Sequence, residues 1–192
     1  MALYLKEREL GFDPTTIGFP SIHGCMAIVY VVPNGLFGYH NYGGSANAAW
    51  ADRANAFNSY VQHHILRGAA SRLYGVTFVG LRYGPPQQDN WVGELTSFAG
   101  ALGYNGKIRG YNLSGDGMVG SAYVEFRKVN DKCEIWVKPW TAGGEATNVD
   151  KYNHKTAPTR SGVTVVENKD GQVFVSVNPA NMRHMHSQRL RG

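Results

Sequence analysis

Two apolar segments separated by a short turn are the first regular elements that the hydrophobic pattern predicts. Cys25–Val32 is continuously apolar and rich in β-branched residues, which is typical of a strand buried on both faces. Pro33-Asn34-Gly35 supplies turn residues, and Leu36–His40 follows as a second, shorter strand. The pattern therefore predicts an antiparallel hairpin early in the chain.

Helical spacing follows the hairpin, and strands dominate the second half of the chain. An apolar stripe runs from Ala46 to about Arg67, between a Ser45 N-cap and Gly68, and predicts the longest helix. The other predicted elements are a strand at Tyr74–Tyr83, a helix from Trp91 to about Leu102 capped by Asn90, strands at Lys107–Leu113, Met118–Val129 and Lys132–Val137, a long polar loop at Pro139–Gly162, and a last hairpin of Val163–Glu167 with Val173–Val177. We expect an α+β fold, a β-sandwich of mixed or antiparallel sheets flanked by two main helices.

Composition favours one soluble domain over residues 1–192. Apolar residues make up 43% of the 192 residues and charged residues 17%, which is enough for a packed core. The apolar run that includes Ala27–Pro33 is too short for a transmembrane helix, and charges near the N-terminus argue against a classical signal peptide. The net charge of +5 is a mild bias that makes nucleic acid an unlikely partner, and the basic tail at 182–192 is expected to be solvated and frayed.

Cysteine and histidine usage indicates neither a disulfide framework nor a metal centre. The two cysteines, Cys25 and Cys133, are not part of a Cys-x-x-Cys pair, so a reducing compartment is expected. Cys133 alternates with polar residues in a strand and is interpreted as structural. His63 and His64 are adjacent on a helix and cannot share a face, so we expect no metal site there and no cofactor.

The predicted hairpin brings a cysteine and a histidine to the same end of a sheet. Cys25 opens the first strand and His40 ends the second, so antiparallel pairing makes them neighbours. A nearby imidazole takes the proton of a thiol and makes it nucleophilic. Gly24 is expected to let the backbone approach closely, and backbone N–H groups near Cys25 to hold an oxyanion. A core cysteine remains the alternative.

The segment from Ser21 to Ser45 resembles the Cys–His protein glutamine deamidases. The resemblance is carried by Ile22-His23-Gly24-Cys25, the apolar strand, Gly38-Tyr39-His40 and Gly43-Gly44. The family includes the catalytic domain of the cytotoxic necrotising factors, the small Burkholderia lethal factor toxins and the chemotaxis deamidase CheD. It implies a β-sandwich with flanking helices, Cys25 as nucleophile, and His40 as base and then acid.

Two positions depart from the family's pattern. His23 stands where the family has Ser; it is either an extra positive charge beside Cys25 or a surface histidine. Phe19 stands where some members have a Thr that orients the histidine, so the resemblance implies a backbone carbonyl in that role, here assigned to Phe19. The side-chain candidates are Thr15, Thr16 and Ser21, and the third member of the triad stays open.

The resemblance implies a toxin- or effector-type deamidase that converts a Gln side chain of a target protein to Glu, with transglutamination as a side activity. Such an enzyme acts as a monomer, needs no cofactor or membrane, and passes from the bacterial cytoplasm to the host cytosol. The target is a GTPase, a translation helicase or another protein. The alternatives are a CheD-like chemoreceptor deamidase, another Cys–His acyl-transfer enzyme such as a protease, and a non-catalytic basic binding module.

Overall fold

Two β-sheets lie face to face, and two helices cover the outer face of the larger sheet. The computed structural model describes residues 2–43, 47–64, 68–85, 87–115, 118, 120–140, 149–152, 163–165, 172–175 and 181–192. The helices of the described residues are α1 (Asn47–Gln62), α2 (Val79–Arg82) and α3 (Gln87–Leu102). The strands are β1 (Leu3–Tyr4), β2 (Glu9–Asp13), β3 (Thr16–Ile22), β4 (Met26–Val32), β5 (Gly35–Asn41), β6 (Arg72–Thr77), β7 (Ile108–Asn112), β8 (Ala122–Val129), β9 (Lys132–Pro139), β10 (Val149–Tyr152), β11 (Val163–Val165), β12 (Gln172–Val175), β13 (Arg183–Met185) and β14 (Gln188–Arg191).

Both large sheets are mixed. The five-stranded sheet has the order β1-β3-β8-β9-β13, and the seven-stranded sheet has the order β11-β2-β5-β4-β6-β7-β14. Most neighbours are antiparallel, but β1 pairs with β3, and β6 with β7, in parallel. A small third sheet pairs β10 with β12. The expected α+β sandwich is therefore confirmed.

The position of β4, covered on both faces, explains why its sequence is continuously apolar. Met26, Ile28 and Tyr30 belong to the core cluster that contains residues of α1 and α3. Ala27 and Val29 belong to the cluster between the two sheets. Alternate residues point to opposite faces of a strand, so a central strand covered by helices on one side and by a sheet on the other needs apolar residues at every position.

The N-terminal part of the chain contains three strands that the sequence pattern did not predict. The β2–β3 turn is closed by the side chain of Asp13, which accepts hydrogen bonds from the backbone N–H groups of Thr15 and Thr16, both at 2.8 Å. β2 then pairs with β5, and β3 crosses to the other sheet to pair with β8. The β2–β3 connection thereby joins the two sheets beside the predicted Cys25–His40 hairpin.

Two predicted elements around Arg82 change type or length. The predicted strand Tyr74–Tyr83 ends at Thr77, and the short helix α2 follows, with the N–H of Val79 bonded to the side chain of Asn112 at 3.2 Å. Helix α3 begins at Gln87, so Asn90 lies inside the helix and is not its cap. Helix α1 ends at Gln62, and residues 65–67 lie outside the described residues.

The C-terminal part of the chain pairs differently from the prediction. The last predicted hairpin is wrong, because β11 pairs with β2 and β12 pairs with β10. The predicted loop Pro139–Gly162 contains β10, while residues 141–148 and 153–162 lie outside the described residues. The tail is not frayed: β13 pairs with β9 in one sheet and β14 with β7 in the other. Twelve residues, 181–192, thus connect the edges of both sheets.

Among the described residues, no helix combines the length and the apolar character that crossing a membrane requires.

Candidate active site

The β4–β5 hairpin places Cys25 and His40 at one end of the seven-stranded sheet, on the face that looks toward the other sheet. His40 pairs directly with Ala27, two residues after Cys25. Cys25 is partly buried against the cluster between the sheets, to which Ala27 also belongs. Diagonal neighbours of this kind have Cα atoms about 7–8 Å apart, within reach of long side chains. The pairing predicted from the turn is confirmed.

His40 is held in one orientation by residues of two other segments, those that carry Leu5 and Phe19. Its imidazole is 1% exposed, and its Nδ1 lies 2.7 Å from the carbonyl oxygen of Leu5. The ring of Phe19 meets the imidazole edge-on, with centroids 6.0 Å apart. Because a carbonyl only accepts hydrogen bonds, Nδ1 carries the hydrogen of the neutral ring and Nε2 is the basic nitrogen.

The carbonyl that orients His40 therefore belongs to Leu5, and the assignment to Phe19 is corrected. Phe19 contacts the imidazole of His40 with its ring instead. The side-chain candidates have other contacts or positions: Thr15 is bonded to Asp13, and Ser21 is exposed with a φ of 60°. The segment that carries Leu5 is itself tied to β5, since the N–H of Arg8 donates to the carbonyl of His40 at 3.0 Å.

Gly24 leaves open space beside Cys25, and the close backbone approach expected there stays a prediction. A Cβ atom at Gly24 would meet nothing within 4 Å. Its carbonyl accepts a hydrogen bond from Arg82 at 2.7 Å, and the carbonyl of Cys25 accepts one from the hydroxyl of Thr77 at 2.7 Å. The backbone on both sides of the thiol is thus fixed, while the space beside it stays accessible.

Arg82 joins the two ends of the hairpin, and the sequence pattern did not identify it. Besides Gly24, its guanidinium donates to the carbonyls of Asn41, Tyr42 and Gly43 at 3.3–3.5 Å. Burial alone would lower the pKa of Arg82, but Glu94, Tyr83 and Cys25 raise it above the ordinary value. The group stays charged, and it interacts electrostatically with Cys25.

Glu94 on α3 balances this buried charge. Its carboxylate accepts hydrogen bonds from Arg82 at 2.9 and 3.0 Å, from Asn41 at 2.8 Å and from Tyr83 at 2.8 Å, and it pairs with Arg53 at 3.3 Å. Burial opposes ionisation, but Arg82 and these hydrogen bonds outweigh it and hold the pKa of Glu94 below its usual range. The ion pair anchors α2 and α3 to the residues that follow His40.

The remaining candidate residues do not join this site. His23 is exposed, and its Nδ1 contacts the carbonyl of Gly120. Burial raises the pKa of the Cys133 thiol to about 12, which keeps it protonated at neutral pH. His63 and His64 follow α1, and their Nδ1 atoms contact carbonyls of its last turn, those of Ser59 and Tyr60. Among the described residues, no group of three or more His, Cys, Asp or Glu side chains is placed to hold a metal ion.

Comparison of the sequence with protein-family models finds no match, and comparison with curated proteins also finds none.

Proposed function

We propose that this protein is a glutamine deamidase that acts on a Gln side chain of another protein, with Cys25 as nucleophile and His40 as base and acid. The observation that carries the proposal is the bond between His40 Nδ1 and the carbonyl of Leu5. It leaves Nε2 as the proton acceptor of a buried imidazole on the same sheet face as Cys25.

The reaction proceeds through two acyl transfers. His40 takes the proton of the Cys25 thiol, and the sulfur attacks the amide carbon of the substrate. Backbone N–H groups around Cys25 hold the oxyanion, and His40 gives the proton to the leaving nitrogen, so that ammonia departs and a thioester remains. Water then loses a proton to His40 and attacks the thioester; the thiol leaves and the product is glutamate. A primary amine in place of water gives transglutamination.

The surroundings of Cys25 support a protein substrate. The space beside Gly24 is open, which suits a side chain presented on another protein's surface. The resemblance of the Ser21–Ser45 segment to toxin deamidases supports a target in a host cell, and hence a toxin- or effector-type role. The CheD-like alternative shares this chemistry and differs in its target, a chemoreceptor.

The first test measures how fast Cys25 is alkylated as a function of pH, with mass spectrometry of each cysteine peptide. We expect Cys25 to react at neutral pH while Cys133 does not, because burial keeps the pKa of Cys133 near 12. His40→Ala is expected to slow Cys25 by about tenfold or more, the size typical of a general base. His23→Ala is the matched control and leaves the rate unchanged.

The second test identifies the product. The protein or its Cys25→Ser variant is incubated with a eukaryotic lysate and, separately, with a bacterial membrane fraction that contains chemoreceptors. Conversion of Gln to Glu in lysate proteins, absent with Cys25→Ser, is expected. Conversion confined to chemoreceptors favours the CheD-like role, and cleaved chains favour a protease. In the alkylation test, a nucleophilic role is contradicted if Cys25 is alkylated as slowly as Cys133 and if His40→Ala does not change its rate.

A further inference from the structure

A cavity of about 410 Å³ lies between the two sheets, at the end of the sandwich far from Cys25. Arg72, which lines it, pairs with Val31 of β4, whereas Met26, next to Cys25, pairs with Thr77. Five residues of strand separate these two positions, which corresponds to about 16 Å. The C-terminal segment His184–Ser187, which runs from β13 to the start of β14, lines the cavity on one side. We call it the anion cavity.

Basic side chains converge on the anion cavity from four segments of the chain. Arg72, Arg109 and Lys132 come from β6, β7 and β9, and His184 and His186 come from the C-terminal segment. Among the described residues, those that line the cavity carry no carboxylate. Like charges gathered around a concave space repel one another and create a positive potential that attracts an anion.

Ser187 and Tyr74 bring hydroxyl groups to the anion cavity, and each hydroxyl has a defined hydrogen-bond partner. Ser187 accepts hydrogen bonds from Arg109, one at its hydroxyl at 2.8 Å and one at its carbonyl at 2.6 Å. These two bonds fix the guanidinium of Arg109 and leave it further N–H groups for a ligand. The hydroxyl of Tyr74 accepts the backbone N–H of Cys133 at 3.3 Å, so its own hydrogen remains available to donate.

The guanidinium of Arg72 contains a buried N–H group that has no acceptor within the described residues. Its Nη1 donates to the carbonyl of Ser71 at 2.7 Å, which leaves the rest of the guanidinium to the cavity. Within the described residues, its buried Nε finds no hydrogen-bond partner. An unsatisfied buried donor is costly, and more so for a charged group, so a ligand oxygen at this point would be stabilising.

We propose that the anion cavity binds a small anion carrying a phosphate or diphosphate group. Arginine forks bind phosphate oxygens bidentately, and Lys132 adds a mobile ammonium group. The volume suits a small ligand better than a single ion. A nucleic-acid backbone needs an extended basic groove, whereas these cations surround a concavity between two sheets. The site is separate from Cys25 and His40 and does not depend on the proposed deamidase activity.

The test is calorimetric titration of the whole protein with pyrophosphate and with inorganic phosphate, at constant ionic strength and pH 7. We expect saturable binding of one equivalent of pyrophosphate. Lys132→Gln and Arg72→Gln are each expected to weaken it about tenfold, the value of one charge-assisted hydrogen bond. Lys107→Gln, the same charge change at an exposed lysine outside the cavity lining, is the control and is expected to weaken binding less than about twofold.

Three results would overturn the proposal. One is the absence of saturable binding of either phosphate compound. Another is an equal effect of Lys107→Gln and Lys132→Gln, which would indicate attraction to the overall positive charge. The third is binding of a short oligonucleotide that pyrophosphate does not displace, which would assign these cations to nucleic acid. Since Lys132 is exposed, its variant is expected to fold, and a thermal denaturation curve verifies this.

Discussion

The orientation of His40 depends on a residue that lies 35 positions earlier in the chain, because its Nδ1 is bonded to the carbonyl of Leu5. Gly38 makes room for that residue. A Cβ atom at Gly38 would lie 2.9 Å from Cδ1 of Leu5 and 3.0 Å from Cδ1 of Ile17. The Gly-x-His spacing in β5 therefore has a steric reason: the glycine lets Leu5 seat beside the strand, and Leu5 then fixes the imidazole.

Replacing Gly38 is expected to disturb His40 without touching it. In Gly38→Ala the new methyl group meets the side-chain ends of Leu5 and Ile17, and we expect this overpacking to cost about 1–3 kcal/mol of stability and to displace the Leu5 segment, whose carbonyl bonds Nδ1. Alkylation of Cys25 is expected to slow by several-fold, and the ¹⁵N chemical shifts of His40 to lose the signature of a single tautomer. Denaturation curves and alkylation rates provide the measurements.

Gly100→Ala is the control for this substitution. Gly100 is exposed on α3, and a Cβ atom there meets nothing within 4 Å, so we expect a gain of about 0.5–1 kcal/mol from helix propensity. Cys25 should react at the native rate. An unchanged Cys25 rate in a folded Gly38→Ala protein would show that Leu5 does not set the reactivity of the pair.

At the residue scale, the sequence could predict the members of the site that have a motif and not those that act through the backbone. Cys25 and His40 follow from a turn and two apolar runs. Leu5 has no such signal, because the contributing group is a carbonyl that every residue has. The roles of Arg82 and Glu94 were not predicted for another reason. The apolar residues around each of them determined the predicted element, and the two side chains meet only when α2 and α3 pack together.

The short helix α2 and the long helix α3 act on the site as one unit through the Arg82–Glu94 ion pair. Both side chains are fully buried, so removing one partner leaves an uncompensated charge. Burial opposes ionisation of Glu94, but its partners prevail and its pKa lies below the ordinary carboxyl value. The stability that it contributes is therefore complete above that ordinary value and is lost as the pH falls through its folded-state pKa.

Glu94→Gln is expected to reduce the free energy of unfolding by about 3 kcal/mol at pH 7. The wild-type protein should lose this advantage progressively below about pH 4.5, so the two proteins converge in acid. Urea denaturation at several pH values measures the difference. Glu7→Gln, at a partly exposed pair with Arg8, is the matched control and changes stability by less than about 1 kcal/mol. A difference that persists unchanged into strong acid would contradict an ionised Glu94.

At the element scale, prediction succeeded where a segment's own pattern decides its structure. The β4–β5 hairpin follows from turn residues between two apolar runs, and Asn130-Asp131 is a hairpin signal between the strands that pair as β8 and β9. The same kind of signal at Ser114-Gly115 is wrong, because β7 pairs with β6 and β14 and not with β8. β11 and β12 were joined into a hairpin because they are neighbours in sequence, yet each pairs with a distant strand. Such pairing depends on which edges the rest of the fold leaves open, and that information is not local.

The whole molecule separates its two candidate sites along the length of β4, and the rigid sheet between them is expected to keep them independent. Cys25→Ser should leave pyrophosphate affinity within about twofold of the native value, and Lys132→Gln should leave the alkylation rate of Cys25 unchanged, because effects of distant substitutions without shared partners add. Titration and alkylation on the same two variants measure both. Coupling larger than this would mean that ligand in the anion cavity regulates the proposed deamidase.

At the same scale, the sandwich class followed from the order of elements, but the arrangement of the tail did not. The sequence 182–192 is basic and lacks a long apolar run, which is typical of a solvated end. Its strands are short, with partly exposed side chains, and their backbone groups supply the pairing. Charge and hydropathy describe side chains, so they do not predict the structure of a segment that is held by backbone hydrogen bonds.

Residues 181–192 add the last strand at one edge of each large sheet, and this has a consequence for synthesis. During translation every other described strand has left the ribosome before β13 and β14, and until these emerge β9 and β7 have bare edges. Neither large sheet can therefore be complete until residues 181–192 have been synthesised and have left the ribosome. In a product truncated before residue 181, β9 and β7 would be the edge strands in place of two short, basic ones. Such edges pair more readily with other chains and are retained by chaperones.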